Sequence, residues 1–185
     1  VLTDKETGEV FRFFDPYKKR KKPDRVAIRA DGKQDGYIRD GIHMMNTCDV
    51  LIGQNVLGYD FHAIDKAVPH TLTLDYEDKP RKKRRKDYPF KVMDTLIMSQ
   101  LLWPDRKLPH QAYMLGKGNI GPHSIEAYGY KHNRLKPENE DWSHLTDHML
   151  FRCSEDVEIG SMMFDDLMDA VSYTHLRAHE TCADL

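Results

Sequence analysis

The sequence has few cysteines, no long hydrophobic run and no large excess of charge of either sign. Its three cysteines, Cys48, Cys153 and Cys182, show no paired spacing, which argues against a disulfide scaffold and for a reducing compartment. No apolar run approaches the ~18 residues of a membrane helix, so no membrane partner is expected, and no signal peptide is recognisable. The net charge of −2 excludes a uniformly basic surface, so any nucleic-acid contact must use local patches.

The composition that remains is typical of a folded domain. Hydrophobic residues make up 39% of the 185 positions and charged residues 31%, enough for one domain with a core. Residues 1–171 are predicted to form this domain. The segment 172–185, "SYTHLRAHETCADL", breaks the amphipathic pattern before it, and we expect a non-native or disordered tail there, the alternative being a polar helix. The chain opens with Val1 inside a predicted strand, which favours a fragment that is incomplete at its N-terminus.

The pattern of apolar residues predicts a mixed α/β fold. A hairpin is expected first, followed by strands and helices in alternation, and that order indicates a mixed sheet with helices on its faces. The polar region 15–35 is expected to be a loop with a short strand at "RVAIRA". Asp94 or Thr95 is expected to cap a helix, Pro122 or Ser124 to begin one, and Gly129 to end it. The predicted strands are 1–2, 10–13 and 49–53, and residues 90–102 are predicted to be a strand that leads into a helix. The other predicted helices are 37–47, 61–68, 108–116, 122–129 and 143–171.

A basic run, "KPRKKRRKD", occupies residues 79–87. Such a run is either a solvated loop, or a functional segment that contacts a phosphate backbone or acts as a basic address signal.

Two aspartates stand in positions that suggest chemistry. Asp60 follows a short apolar strand, with Asn55 five residues before it and Tyr59 next to it, and Asp156 lies early in the last predicted helix. Aspartates at strand ends and helix starts are commonly caps. If both carboxylates reach one edge of a central sheet, however, they offer the oxygen ligands that Mg²⁺ and Mn²⁺ prefer. A pair of such ions activates water for phosphodiester hydrolysis.

The order of four segments, "NVLGYD", "VMDTLIMSQLLWPD", "GPHSIEAYGYKHNRLK" and "MLFRCSEDVEI", resembles the 3′–5′ proofreading exonuclease domain of phage-type family A DNA polymerases. The resemblance covers roughly residues 1–171. It implies a ribonuclease-H-like mixed central sheet flanked by helices, and Mg²⁺ or Mn²⁺ as cofactor, with two ions in the complete domain. The implied partners are a single-stranded DNA 3′ end and a polymerase domain of the full-length chain. The implied location is the cytoplasm, that of the host cell if the protein is phage-encoded.

The resemblance also implies roles for individual residues. Asp60 and Asp156 are the expected catalytic metal ligands, a role that would explain a carboxylate close behind a buried strand. Asn55 is expected to position the terminal nucleotide, and Tyr59 to contact nucleic acid beside it. Arg152 occupies the position where the family usually has a tyrosine, and Phe151 the position of an alternative histidine. Neither is a conventional base. Arg152 either neutralises a phosphate or is a solvated helix residue.

The family's first motif, Asp-x-Glu on the opening strand, is not recognised in its place. Asp4 and Glu6 have the right identities, but we assign them to the hairpin turn and expect the true motif upstream of Val1. The chain alone is therefore expected to be inactive or nearly so. The alternatives are a free-standing exonuclease and a degenerate domain that binds single strands or acts as a scaffold. Tyr128 is expected in the core rather than stacked on bases, and Cys153 is expected to be buried.

Overall fold

The computed structural model describes residues 1–13, 36–68, 88–138 and 146–183, and the side chains of the last helix up to residue 173. Over these residues the fold is mixed α/β, with about 55% helix and small sheets. None of the helices in these ranges combines the length and the hydropathy of a membrane-spanning segment. The loop and strand predicted over 15–35 and the basic run at 79–87 lie outside the described residues.

The chain divides into two compact units. The first unit comprises Val1–Leu51 and Leu57–Val92, and the second comprises Ile52–Val56 and Met93–Leu185. Each unit is described by itself. The elements, in chain order, are β1 (Leu2–Thr3), β2 (Val10–Phe11), α1 (Ile38–Thr47), β3 (Val50–Gly53), a π-helical turn (Val56–Asp60), α2 (Phe61–Ala67), β4 (Lys91–Asp94), α3 (Thr95–Leu102), α4 (His110–Met114), α5 (Ile125–Lys131) and α6 (Asp147–Ala183).

The first unit begins with the predicted hairpin. Strands β1 and β2 pair antiparallel, with Leu2 opposite Phe11. The turn between them is closed by Asp4, whose Oδ1 accepts hydrogen bonds from the backbone N–H groups of Glu6 (2.9 Å) and Thr7 (3.0 Å). These bonds lower the pKa of the Asp4 carboxyl. The assignment of Asp4 and Glu6 to a turn is therefore confirmed.

Aromatic side chains provide further packing in the first unit. Phe61, at the start of α2, is almost fully buried, and its ring lies 4.6 Å from that of Tyr88 and 5.9 Å from that of Phe90. Strands β3 and β4, whose residues are shared between the two units, pair as a two-stranded sheet. The predicted strand at 49–53 and the strand-to-helix segment at 90–102 are confirmed.

The core of the second unit lies between α5 and α6. Tyr128 of α5 and the α6 residues Ile159, Met163 and Leu167 are fully buried and form one cluster. The three α6 positions are separated by four residues each, the spacing that places side chains on one face of a helix. The predicted core position of Tyr128 is confirmed. Helix α6 continues to Ala183, so the backbone of most of the predicted tail is helical, while its origin stays a prediction.

Two local predictions are wrong. Gly129 does not end α5, which continues to Lys131. The helix ends instead in a Schellman motif, in which Asn133 has a positive φ of 54° and the N–H of Arg134 donates to the Gly129 carbonyl at 2.8 Å. Cys153 is exposed rather than buried, because the inward face of α6 is occupied by the residues at 159, 163 and 167.

The closeness of the returning chain explains why position 129 is glycine. A Cβ atom there would lie 2.5 Å from the Arg134 backbone oxygen and 3.2 Å from Ile159. We expect Gly129→Ala to lower the free energy of unfolding by about 1–3 kcal/mol, since the backbone must shift. Gly160→Ala on α6 is the matched control, because its Cβ would meet nothing within 4 Å. That control should stabilise by about 0.5–1 kcal/mol, and chemical denaturation of both variants measures the difference. Equal effects would contradict the steric explanation.

Candidate functional site

The turn that follows β3 is fixed by Asp94. Asn55 has a positive φ of 59°, a conformation that asparagine tolerates better than most residues. Its backbone N–H donates to Asp94 Oδ1 at 2.9 Å, and the same oxygen accepts from the N–H of Leu96 at 3.0 Å. Asp94 is 5% exposed and is the N-cap of α3, as predicted. One carboxylate thus joins the start of α3 to the turn that carries Asn55.

Neighbouring contacts hold the same turn. Thr95, almost fully buried, donates its hydroxyl to the Gly53 carbonyl at 3.3 Å, and the Gln54 amide donates to the His123 carbonyl at 3.3 Å. A Cβ on Gly53 would collide with the Val56 side chain. The resemblance implied that Asn55 positions a nucleotide. The structure shows its backbone as part of the turn, and the nucleotide role stays a prediction.

Asp60 lies in a different environment from the one that the sequence predicted. It ends the π-helical turn and continues directly into α2 with helical angles (φ −64°, ψ −42°), without accepting a capping hydrogen bond from that helix. Its side chain is exposed. The carboxylate of Asp60 is exposed, so no burial cost has to be offset by a metal, and its role as a metal ligand stays a prediction. Tyr59 beside it is 68% exposed, so both side chains are accessible from solvent.

Asp156 lies on α6, where one of its oxygens has a partner and the other has none among the described residues. Oδ2 forms an ion pair with the Lys136 ammonium at 2.9 Å. The lysine side chain is 22% exposed and the aspartate side chain 25% exposed. Oδ1 is buried and has no hydrogen-bond partner in the described part of the chain. A buried oxygen of this kind is costly to leave without a partner, so it is a position where a cation or a donor would be stabilised.

The segment after α5 is held against α6 on both sides of Lys136. Arg134 binds Glu155 with two hydrogen bonds, of 2.6 Å and 2.8 Å. The bonds from Arg134 lower the pKa of the Glu155 carboxyl. Arg152 donates to the Pro137 carbonyl at 2.7 Å and is half-buried. Arg152 is thus not a purely solvated helix residue, and its guanidinium already binds this segment.

The two predicted metal ligands belong to different units: Asp60 to the first and Asp156 to the second. Within the ranges that the structure describes, no group of three or more His, Cys, Asp or Glu side chains could hold a metal ion. The donor chemistry at Asp156 nevertheless fits a hard cation, since Oδ1 is a buried carboxylate oxygen without a partner. The described residues supply few ligands at this position.

A second polar cluster, which the sequence did not predict, lies beside the core of the second unit. Ser99 of α3 is fully buried, and its hydroxyl is 2.8 Å from His123 Nδ1 and 2.9 Å from the Tyr128 hydroxyl. Arg106 lies over the Tyr128 ring at 4.0 Å and donates to the Pro122 carbonyl. Because the Ser99 hydroxyl is buried and bonded on both sides, we interpret the cluster as structural rather than nucleophilic. The polar Ser99 within "TLIMSQLL" was the only signal for it.

Burial changes the proton affinities of this cluster. Desolvation raises the pKa of the Tyr128 hydroxyl. Desolvation and the nearby positive charge of Arg106 lower the pKa of His123 below its usual 6.5. The folded protein therefore favours the neutral imidazole of His123 in its hydrogen bond with Ser99.

Removal of the Asp94 carboxylate should destabilise the second unit. We expect Asp94→Ala to lower the free energy of unfolding by about 2–3 kcal/mol, since α3 loses its cap and the Asn55 N–H loses its acceptor. Asp4→Ala is the matched control, because Asp4 Oδ1 also accepts two backbone N–H groups but in an exposed turn. The control should lose clearly less in chemical denaturation. A similar loss in both variants would argue against a special role for Asp94.

The lowered pKa of His123 makes stability depend on pH. Above about pH 6.5 this contribution to stability is fully present. Below that pH the unfolded chain binds a proton at His123 that the folded chain resists, so stability falls as the pH decreases toward the lowered pKa. We expect the free energy of unfolding to fall more steeply from about pH 7 to about pH 5 in the wild type than in His123→Asn, whose amide oxygen can still accept from Ser99. Parallel curves would contradict this assignment.

Comparisons of this chain with protein-family models, with curated proteins and with solved structures find no match. The interpretation of the site therefore depends on the residues and contacts themselves. Two features of the described residues bear on function. One is the Asp156 carboxylate with its Lys136 ion pair, and the other is the exposed pair Tyr59 and Asp60.

Proposed function

We propose that this chain is the 3′–5′ exonuclease domain of a phage-type family A DNA polymerase, with a ribonuclease-H-like arrangement. Its function in the complete protein would be to remove 3′-terminal nucleotides from single-stranded DNA ends during proofreading. The support is the order and spacing of the four quoted segments, together with the mixed α/β class of the fold. The partners in this proposal are a single-stranded DNA 3′ end and a polymerase domain in a longer chain.

The observation that carries the proposal is the unpartnered buried oxygen of Asp156. An aspartate that served only as a salt-bridge partner for Lys136 could turn both oxygens toward donors or solvent. Instead Oδ1 is buried without a hydrogen-bond partner among the described residues, which is an environment that a divalent cation would stabilise. Asp60, exposed at the end of its turn, is the second proposed ligand.

Four side chains have proposed roles in metal binding and in strand binding. The resemblance assigns Asp60 and Asp156 as ligands of Mg²⁺ or Mn²⁺, and bound ions of this type activate water and stabilise the leaving oxygen in phosphodiester hydrolysis. Tyr59, largely exposed, offers a ring on which an unpaired base can stack. Asn55, on the turn that Asp94 fixes, would position the terminal nucleotide. These two carboxylates are half of the family's four, so we expect hydrolysis by this chain alone to be very slow.

Arg152 favours a second candidate, a degenerate domain that binds single strands without cleaving them. At the position where the family usually has a tyrosine, this chain has a guanidinium that donates to the Pro137 carbonyl. A guanidinium group contains no hydrogen-bond acceptor atom and stays protonated in proteins, so it cannot serve as a general base. The two candidates differ in whether strand binding requires a divalent ion.

Metal binding by the full 185-residue chain tests the leading proposal. We expect Mn²⁺ binding, measured as loss of the free-ion EPR signal, to weaken by about tenfold or more in Asp60→Asn and in Asp156→Asn, because each variant loses a ligand charge. Asp105→Asn is the matched control, since Asp105 is exposed and has no role in the proposed site. Mn²⁺ binding that is the same in all four proteins would refute the assignment of the ligands.

Strand binding separates the two candidates. A fluorescent single strand with a free 3′ end should bind more tightly when Mn²⁺ is present, and Asp156→Asn should remove that gain. Mononucleotide release from a 3′-labelled strand should be very slow, and rapid release would contradict the expected inactivity. Binding that is indifferent to Mn²⁺ and to Asp156→Asn would favour the degenerate binding domain instead.

A further inference from the structure

The side chain that neutralises Asp156 comes from this chain itself. Lys136 reaches Oδ2 at 2.9 Å and so places one positive charge where the proposed divalent ion would be attracted. An ammonium and a divalent ion at one carboxylate repel each other, most strongly where solvent screening is reduced. Both partners of the pair are largely buried, so this repulsion is screened less than on an open surface.

The position of Lys136 is determined by its neighbours. Asn133 reverses the chain after α5, Arg134 is anchored to Glu155 by two hydrogen bonds, and Arg152 holds the Pro137 carbonyl. The backbone on either side of Lys136 is therefore fixed beside Asp156. The lysine side chain, in contrast, is a point charge on a flexible stem, and its ammonium pairs with Asp156 Oδ2.

We propose that Lys136 is a tethered cation that occupies Asp156 in the absence of a divalent ion and must leave when the ion binds. This inference rests on the proposed function, because it assumes that Asp156 is a metal ligand. The anchored backbone returns the ammonium to the carboxylate whenever the ion dissociates, so Lys136 sets the ion concentration at which the site fills. Arg134, bound through a planar fork to Glu155, keeps the segment in place during the exchange.

The substitution Lys136→Met tests the competition directly. It keeps the length of the stem and removes the charge, so Mn²⁺ should bind the full chain about fivefold more tightly, the ratio that corresponds to about 1 kcal/mol for a partly exposed pair. The gain should disappear in the double variant Lys136→Met, Asp156→Asn. Lys117→Met is the matched control, because Lys117 pairs with Glu138 and Glu126 rather than with Asp156, and it should leave Mn²⁺ affinity unchanged.

Thermal unfolding gives a second readout. Lys136→Met should unfold at a lower temperature than the wild type without added metal, because Asp156 loses its partner, and millimolar Mn²⁺ should raise its Tm more than that of the wild type. Lys136→Arg keeps the charge, so it remains an informative second variant if Lys136→Met does not fold. It should bind Mn²⁺ no more tightly than the wild type.

The outcomes separate this inference from the proposed function. If Asp156→Asn weakens Mn²⁺ binding but Lys136→Met binds Mn²⁺ no more tightly than the wild type, the competition is overturned and the metal-ligand role of Asp156 is kept. If Mn²⁺ binding does not depend on Asp156 in any of these proteins, both proposals fail. Tighter binding in Lys136→Met that also occurs in Lys117→Met would show a general charge effect and would overturn the inference.

Discussion

The second unit depends on the burial of Tyr128. Its ring packs against Ile159, Met163 and Leu167, and a phenol buried this deeply must have a hydrogen-bond partner. Ser99 provides that partner and connects it to His123. The apolar packing and the polar contacts at this one side chain thus link α5 to α3, to the segment before α5, and to α6.

From this core, a sequence of backbone constraints leads to the candidate site. Helix α5 ends in a Schellman motif at Asn133, and the returning chain passes so close to Gly129 that no side chain fits there. The next residues are then anchored along α6, first Arg134 on Glu155 and then Lys136 on Asp156. The pairing of Asp156 is therefore a consequence of how α5 ends. Asp94 also makes two contacts with one atom: its Oδ1 accepts the hydrogen bond that caps α3 and the hydrogen bond from the Asn55 turn.

Local patterns in the sequence were sufficient for most elements. The hairpin, α1, β3, the β4–α3 segment and α6 follow from apolar periodicity, and the caps at Asp94 and Ser124 from residue type. Failures occurred where a tertiary contact replaced the local rule. Gly129 has the residue type of a helix end, but it is required by the close approach of Arg134. Cys153 has the residue type of a core position, but it falls on the outer side of α6.

By itself, the sequence determined the mixed α/β class, the two candidate aspartates and the motif order that resembles an exonuclease, because these depend on residue identity and short-range spacing. Only the tertiary structure decided that Asp60 is exposed, that Asp94 holds the turn of Asn55, and that Asp156 is paired with Lys136. The last two facts depend on contacts between residues 20 and 39 positions apart, whose geometry is set by packing and by the need to satisfy buried polar atoms. No local pattern specifies them.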